Sequence, residues 1–118
     1  MSETLREVSL AYYTAIDSGD LEALLACFSA DAVYRRPGYA PIVGQEGLRD
    51  FFSNVRVIES GAHEIEDIVI DGERAAIRGR FVDRLKDGSP LDFGFADFFG
   101  FEEGLIAART SYFHIAFV

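Results

Sequence analysis

Two aspartates fall on strand faces that are otherwise apolar, and they are the residues best suited to proton-transfer chemistry. Side chains alternate across a strand, so Asp97 shares a face with Phe95 and Phe99. A carboxyl in such surroundings either pairs with a cation or stays neutral, because an isolated buried charge is costly. Arg109 is the predicted partner if Asp97 is paired. Asp97 is therefore the first catalytic candidate, and Asp83, which is closer to a turn, is the second.

A phenol and two histidines complete the set of reactive side chains. Tyr12 lies on the apolar stripe of the first predicted helix, where a buried hydroxyl needs a hydrogen-bond partner. His63 and His114 have no metal-ligand spacing with each other or with Cys27, so we interpret them as surface or core residues. The sequence contains no GxGxxG, P-loop or G-x-S-x-G motif. We therefore predict no metal and no cofactor.

Length and charge narrow the class of partner. The 118 residues, 49% of them hydrophobic, predict one domain over residues 1–118. Twenty acidic residues against eleven basic ones give a net charge of −9, which argues against nucleic acid and membrane surfaces and favours a small hydrophobic molecule. Cys27 is the single cysteine, so no internal disulfide is possible. With neither a signal peptide nor a membrane span in the sequence, we expect a cytoplasmic protein.

The first half of the chain has helical periodicity. Apolar residues recur along a first helix that should end at Ser18 and Gly19, and Asp20 is placed to cap a short second helix. An extended segment follows at residues 32–36, and residues 44–55 return to helical spacing. The sequence thus predicts three N-terminal helices.

From about Ala62 the period changes to two. The alternation predicts four strands joined by hairpin turns at the Asp-Gly pairs 71–72 and 87–88 and at the Glu-Gly pair 103–104. Helices followed by a meander indicate an α+β fold in which three N-terminal helices pack on a curved antiparallel sheet. A curved sheet that is covered on one side encloses a cavity.

The order of three segments resembles a known superfamily. AYYTAIDSGDLEALLACFSADAVYRRPG, then VGQEGLRDFF, then DFFGFEEGLIAARTSYF are similar to the nuclear transport factor 2-like superfamily, and within it to SnoaL-like and ketosteroid-isomerase-like proteins. The resemblance covers nearly the whole chain. It implies a cone-shaped fold with an internal pocket open at one end, and a homodimer formed through the outer face of the sheet.

The resemblance to ketosteroid isomerases also implies roles for individual residues. Tyr12 corresponds to their oxyanion-donating tyrosine, and Asp97 to the protonated aspartate that donates beside it. Their proton-transferring aspartate is replaced, because Arg36 stands before Pro37. An arginine cannot act as this base, but it can orient an anionic oxygen unless it pairs with Asp83 or Asp97.

Two other relatives restrict the chemistry further. The chain resembles limonene epoxide hydrolases at VDRL and RTSYF, where Asp83 corresponds to a catalytic aspartate, but Phe81 and Ser111 replace two other catalytic residues. SnoaL-type polyketide cyclases use a single acid/base aspartate in an apolar cavity, which Asp97 or Asp83 can supply. This is the enzyme model that the sequence contradicts least.

We therefore carry three hypotheses from the sequence. The first is an isomerase, cyclase or hydrolase in which Asp97 moves a proton, Tyr12 stabilises an oxyanion and Asp83 is an alternate base. The second is a non-catalytic domain that binds a small hydrophobic ligand, and the third is a dimeric accessory domain without a ligand. The residues predicted to contact the ligand are Tyr34, Arg36, Phe81, Phe95, Phe99, Arg109 and Ser111.

Overall fold

The computed structural model describes residues 2–55 and 58–114, without the side chains of residues 2, 3, 55, 58–61, 83 and 85. Its elements are α1 Ser2–Ser18, α2 Leu21–Ala26, β1 Phe28–Arg35, β2 Ile42–Val43, α3 Gly44–Asp50, a π-helical turn Phe51–Val55, β3 Ile58–Asp71, β4 Arg74–Leu85, β5 Pro90–Glu102 and β6 Leu105–His114. The predicted α+β class is confirmed, because these helices pack on a single sheet.

The helix boundaries follow from local signals in the sequence. Helix α1 ends at Ser18, and Gly19 has a φ of 73°, a left-handed conformation that glycine adopts without strain. The Asp20 carboxylate accepts a hydrogen bond from the backbone N–H of Ala23 at 3.1 Å and caps α2. Both of these predictions are confirmed.

The third predicted helix is divided into two parts. Residues 44–50 form the α-helix α3, and the chain then widens into a π-helical turn, Phe51–Val55. A π-turn adds a residue to the helical repeat and so changes the direction of the side chains after it. Phe51 is fully buried, and the neighbouring Phe52 reaches the cavity described below. The turn therefore presents two aromatic rings to the interior.

The sheet has six strands in the order β2-β1-β6-β5-β4-β3. The hairpins β3–β4, β4–β5 and β5–β6 are antiparallel and turn at the three predicted positions. The sheet as a whole is mixed, however, because β1 pairs parallel to β6. The predicted antiparallel meander is present as β3–β6, and β1 and β2 extend it, since the pairing of β1 depends on where the helices return the chain.

One face of the sheet forms the core. Residues of β4 and β5 alternate between buried and exposed, so that Ile77, Phe81, Phe95 and Phe99 point inward against the helices. Gly79 leaves room for the Phe95 ring, because a Cβ at this position would lie 3.0 Å from that ring and 2.2 Å from a backbone carbonyl of β3. Within the described ranges, no helix is long and apolar enough to span a membrane.

Candidate functional site

A cavity lies between α1, the π-helical turn and the inner face of the sheet. Its outline includes about 360 Å³ of space that opens partly to solvent, but the centre of a water molecule can occupy only about 20 Å³ of it. That inner volume by itself holds about one ordered water, so a larger molecule would also occupy the part of the cavity that opens to solvent. The lining is mainly aromatic and consists of Tyr12, Ile16, Tyr34, Arg36, Phe52, His63, Phe81, Phe93, Phe95, Asp97, Arg109 and Phe113.

Asp97, on β5, is the centre of a buried polar cluster. Its side chain is 1% exposed and pairs with Arg109 across the β5–β6 hairpin at 3.0 Å. The carboxylate also accepts hydrogen bonds from the Tyr13 hydroxyl at 2.5 Å and from the Ser111 hydroxyl. Of the two alternatives open for this aspartate, the structure has the ion pair. Three hydrogen-bond donors therefore surround the Asp97 carboxylate.

The Arg109 guanidinium lies between two phenol rings. Its central carbon is 4.4 Å from the ring centre of Tyr12 and 4.3 Å from that of Tyr34, and it donates a hydrogen bond to the Tyr12 hydroxyl. Burial lowers the pKa of Arg109, but the Asp97 carboxylate and the surrounding phenols outweigh this and raise it well above its ordinary value. Arg109 is therefore a permanent cation that polarises the Tyr12 hydroxyl.

Tyr13 was not predicted to be a site residue, although it is the tyrosine whose hydroxyl contacts Asp97. Burial, followed by the charge of Asp97, raises the pKa of the Tyr13 phenol above its ordinary value of 10. The hydroxyl thus remains a hydrogen-bond donor to Asp97. Sequence periodicity placed Tyr12 on the buried stripe, but both neighbouring tyrosines are at most 3% exposed because helix and sheet enclose this end of α1 on two sides.

A chain of hydroxyls extends from Asp97 toward the cavity. The Ser111 and Tyr34 hydroxyls are 2.9 Å apart, and Arg36 donates to the Tyr34 oxygen over a long 3.4 Å. The Ser111 side chain is buried behind Tyr34 and is absent from the cavity lining. Phe99 is also behind the lining, because its ring packs against Tyr12 and the deeper core.

The other predicted ligand contacts, Tyr34, Arg36, Phe81, Phe95 and Arg109, do line the cavity. Asp83 has its backbone in β4, paired with residue 91 of β5, but its side chain lies outside the described part of the structure. The alternate-base hypothesis for Asp83 therefore stays a prediction.

His63 and Asp17 form a second polar pair in the cavity wall. The Asp17 carboxylate lies 2.5 Å from the His63 Nδ1 atom and also accepts the His63 backbone N–H at 3.0 Å. The imidazole packs among three aromatic rings, with ring-centre distances of 4.5 Å to Phe81, 5.1 Å to Tyr13 and 5.3 Å to Phe95. Only 8% of the His63 side chain is exposed.

This pair fixes the chemistry of the imidazole. A carboxylate only accepts hydrogen bonds, so His63 Nδ1 carries the hydrogen that faces Asp17. Nε2 makes no hydrogen bond to any described side chain or backbone group, and it is the ring nitrogen that a molecule in the cavity could contact. The sequence analysis treated His63 as a core or surface residue, since its partner is 46 positions away and no motif joins them.

No arrangement of metal ligands accompanies these pairs. Among the described residues, no group of three or more His, Cys, Asp or Glu side chains is placed to hold a metal ion.

Comparison with known proteins agrees with this architecture. The family model of the SnoaL-like domain matches residues 10–109. The chain therefore belongs to the SnoaL-like domain family, and the resemblance seen in its sequence is confirmed. No curated protein matches the chain significantly.

Three solved structures illustrate the shared fold. An NTF2-like protein of unknown function from Burkholderia pseudomallei has a TM-score of 0.87 and 19% identity, over 93% of this chain and 90% of that one. TerC, co-crystallised with polyporic acid, has a TM-score of 0.85 and 19% identity, over 93% and 91%. An epoxide hydrolase of the LEH-like type from M. tuberculosis has a TM-score of 0.81 and 20% identity, over 95% and 83%. At such identities these likenesses establish the fold alone.

Proposed function

We propose that the protein is an acid–base enzyme that moves a proton on a small, largely apolar, oxygen-bearing substrate held in the aromatic cavity. The observation that carries this proposal is the Asp17–His63 pair, in which a half-buried carboxylate orients a buried imidazole whose Nε2 has no hydrogen-bond partner among the described side chains. An oriented imidazole in an apolar cavity is a common form of general base. The enzyme hypothesis from the sequence is kept, but its base is His63.

The reaction class follows from the groups around the cavity. His63 Nε2 takes a proton from a carbon next to a carbonyl group, and the electron pair of that C–H bond moves onto the carbonyl oxygen to form an enolate. The Tyr12 hydroxyl, polarised by Arg109, stabilises this oxygen. The imidazolium then returns the proton to the same carbon or, where the enolate is conjugated with a C=C bond, to the far carbon of that bond, which shifts the double bond. Exchange or isomerisation results, without a change in oxidation state.

Asp97 acts in this scheme as a positioning residue. Its ion pair holds Arg109 between Tyr12 and Tyr34, and its other hydrogen bonds hold the hydroxyls behind the cavity. Among similar structures, the LEH-like epoxide hydrolase is an enzyme and TerC was crystallised with an organic acid, so this fold accommodates both catalysis and small ligands. Both uses are compatible with a cavity of this kind.

The test is proton exchange on simple ketones. Acetone, cyclopentanone and 2-indanone, graded in size because the inner space is small, are incubated with the protein in D2O, and loss of the α-proton signal is followed by NMR. We expect exchange above the buffer rate for at least one ketone. His63→Gln should lower the catalysed rate about 100-fold, the order of magnitude that general-base catalysis contributes. Asp17→Asn should lower it by a smaller factor.

The matched control is His114→Gln, which changes the other histidine of the chain, an exposed residue near the end of β6. This variant should exchange protons as fast as the wild-type protein. If the wild-type protein exchanges no faster than buffer, or if His63→Gln is as active as wild type while keeping a native circular dichroism spectrum, the enzyme proposal is wrong. Ligand binding without exchange would favour the non-catalytic binding domain.

A further inference from the structure

Arg36 is a cation in the cavity wall that has no acidic partner among the described side chains. It follows β1 and is half-buried. Within residues 2–55 and 58–114, and apart from the undescribed side chains, Arg36 makes no ion pair. Among the described groups, its Nη1 donates only to the Tyr34 hydroxyl, at 3.4 Å, and its Nε is buried and has no hydrogen-bond acceptor. The guanidinium therefore has donor capacity that the described protein does not use.

The other charges of the cavity are compensated, which makes Arg36 unusual. Asp97 and Arg109 neutralise each other, and Asp17 is held by two N–H groups of His63. Four aromatic rings surround the Arg36 guanidinium at 5.0–6.0 Å from its central carbon, and they belong to Phe113, Phe51, Tyr39 and Tyr34. Their faces attract the cation weakly, and the Tyr34 hydroxyl supplies the one long hydrogen bond that Arg36 donates among the described groups.

A planar guanidinium with unused donors matches the two oxygens of a carboxylate, because the fork of N–H groups can donate to both of them. The rings around Arg36 and the phenylalanines of the cavity would cover the apolar body of such a molecule. The chain as a whole has a net charge of −9, which repels anions at long range. A preference for an anionic ligand would therefore have to come from the Arg36 guanidinium itself.

We propose that Arg36 is a specificity-determining residue that binds the carboxylate of a small, otherwise apolar substrate in the cavity. This inference deepens the proposed function, since it names the substrate class of the same cavity. Arg36 then anchors the anionic end of the molecule, while His63 and Tyr12 face the part that reacts.

The test compares pairs of ligands that have the same shape and differ in charge. Benzoate with benzamide, and the smaller acetate with acetamide, are titrated against the wild-type protein by NMR at about 0.15 M salt, where the screening length is about 8 Å. We expect the carboxylate of at least one pair to bind about tenfold tighter than its amide, as for a charge-assisted hydrogen bond. Arg36→Met should reduce this ratio to about one, and Arg36→Lys should give an intermediate value.

Arg35→Met is the matched control. Arg35 is adjacent in sequence and exposed at the end of β1, and its replacement changes the net charge by the same amount. This variant should keep the wild-type ratio. The inference is wrong if the wild-type protein binds neither pair of ligands or binds carboxylate and amide equally well. It is also wrong if the ratio is unchanged in folded Arg36→Met and Arg36→Lys, or if Arg35→Met lowers it as much as Arg36→Met does. The titrations measure binding and need no proton exchange, so failure of the catalytic proposal is separable from failure of this one.

Discussion

Replacing Asp97 by asparagine should strongly destabilise the fold, because it removes the negative charge and leaves Arg109 buried. The two side chains are 1% and 6% exposed, so water cannot solvate the remaining guanidinium. Breaking one side of a buried ion pair costs about 3–5 kcal/mol. A domain of this size is stable by about 5–15 kcal/mol in total. The Asp97→Asn protein should therefore be folded but only marginally stable.

Urea denaturation followed by far-ultraviolet circular dichroism measures this loss, since the chain has no tryptophan for fluorescence. With a urea dependence of about 1–3 kcal/mol per molar, the midpoint should fall by at least about 1 M. Asp92→Asn, on the exposed face of the same strand, breaks the surface ion pair with Arg80 and should leave the midpoint almost unchanged.

A double-mutant cycle tests the reason for the loss. Adding Arg109→Met to Asp97→Asn removes the unpaired buried charge. The double variant should therefore lose less free energy of unfolding than the sum of the two single losses, by about 1 kcal/mol or more. Additive losses, or a loss below about 1 kcal/mol for Asp97→Asn alone, would show that the buried charge is not what stabilises this cluster.

Two further predictions concern pH and assembly. Burial and the charge of Asp97 raise the pKa of the Tyr13 phenol, so above about pH 10 the phenol ionises in the unfolded chain but not in the folded protein. The free energy of unfolding of the wild type should therefore fall with pH more steeply than that of Tyr13→Phe, by about 1.4 kcal/mol per pH unit. If the urea midpoints of the wild type and Tyr13→Phe fall in parallel as the pH rises, this prediction is wrong. Val82, Phe98 and Tyr112 are 45–57% exposed on the outer face of the sheet, so we expect a homodimer in sedimentation, dissociated by Phe98→Glu. A 13.1 kDa species in the wild type would refute it.

Much of the fold could be predicted from the sequence because its signals are local. The turns at Gly72, Gly88 and Gly104 all have positive φ values, a conformation that glycine favours over other residues. Strand alternation placed Asp97 among buried phenylalanines, and the β5–β6 hairpin then brought Arg109 within reach, as one of the two alternatives required. This pair could be predicted because the two residues are only 12 positions apart in sequence, on the two strands of one hairpin.

Two features could not be predicted before the folded structure was known, namely the parallel pairing of β1 with β6 and the contact between Asp17 and His63. Both join segments that are distant in sequence, and neither involves a motif or a periodic pattern. The sequence likewise does not show that Tyr13, and not Tyr12, contacts Asp97, since the two tyrosines are adjacent and both are buried. Composition and periodicity determine which residues enter the core, whereas the packing of helix against sheet determines which of them touch.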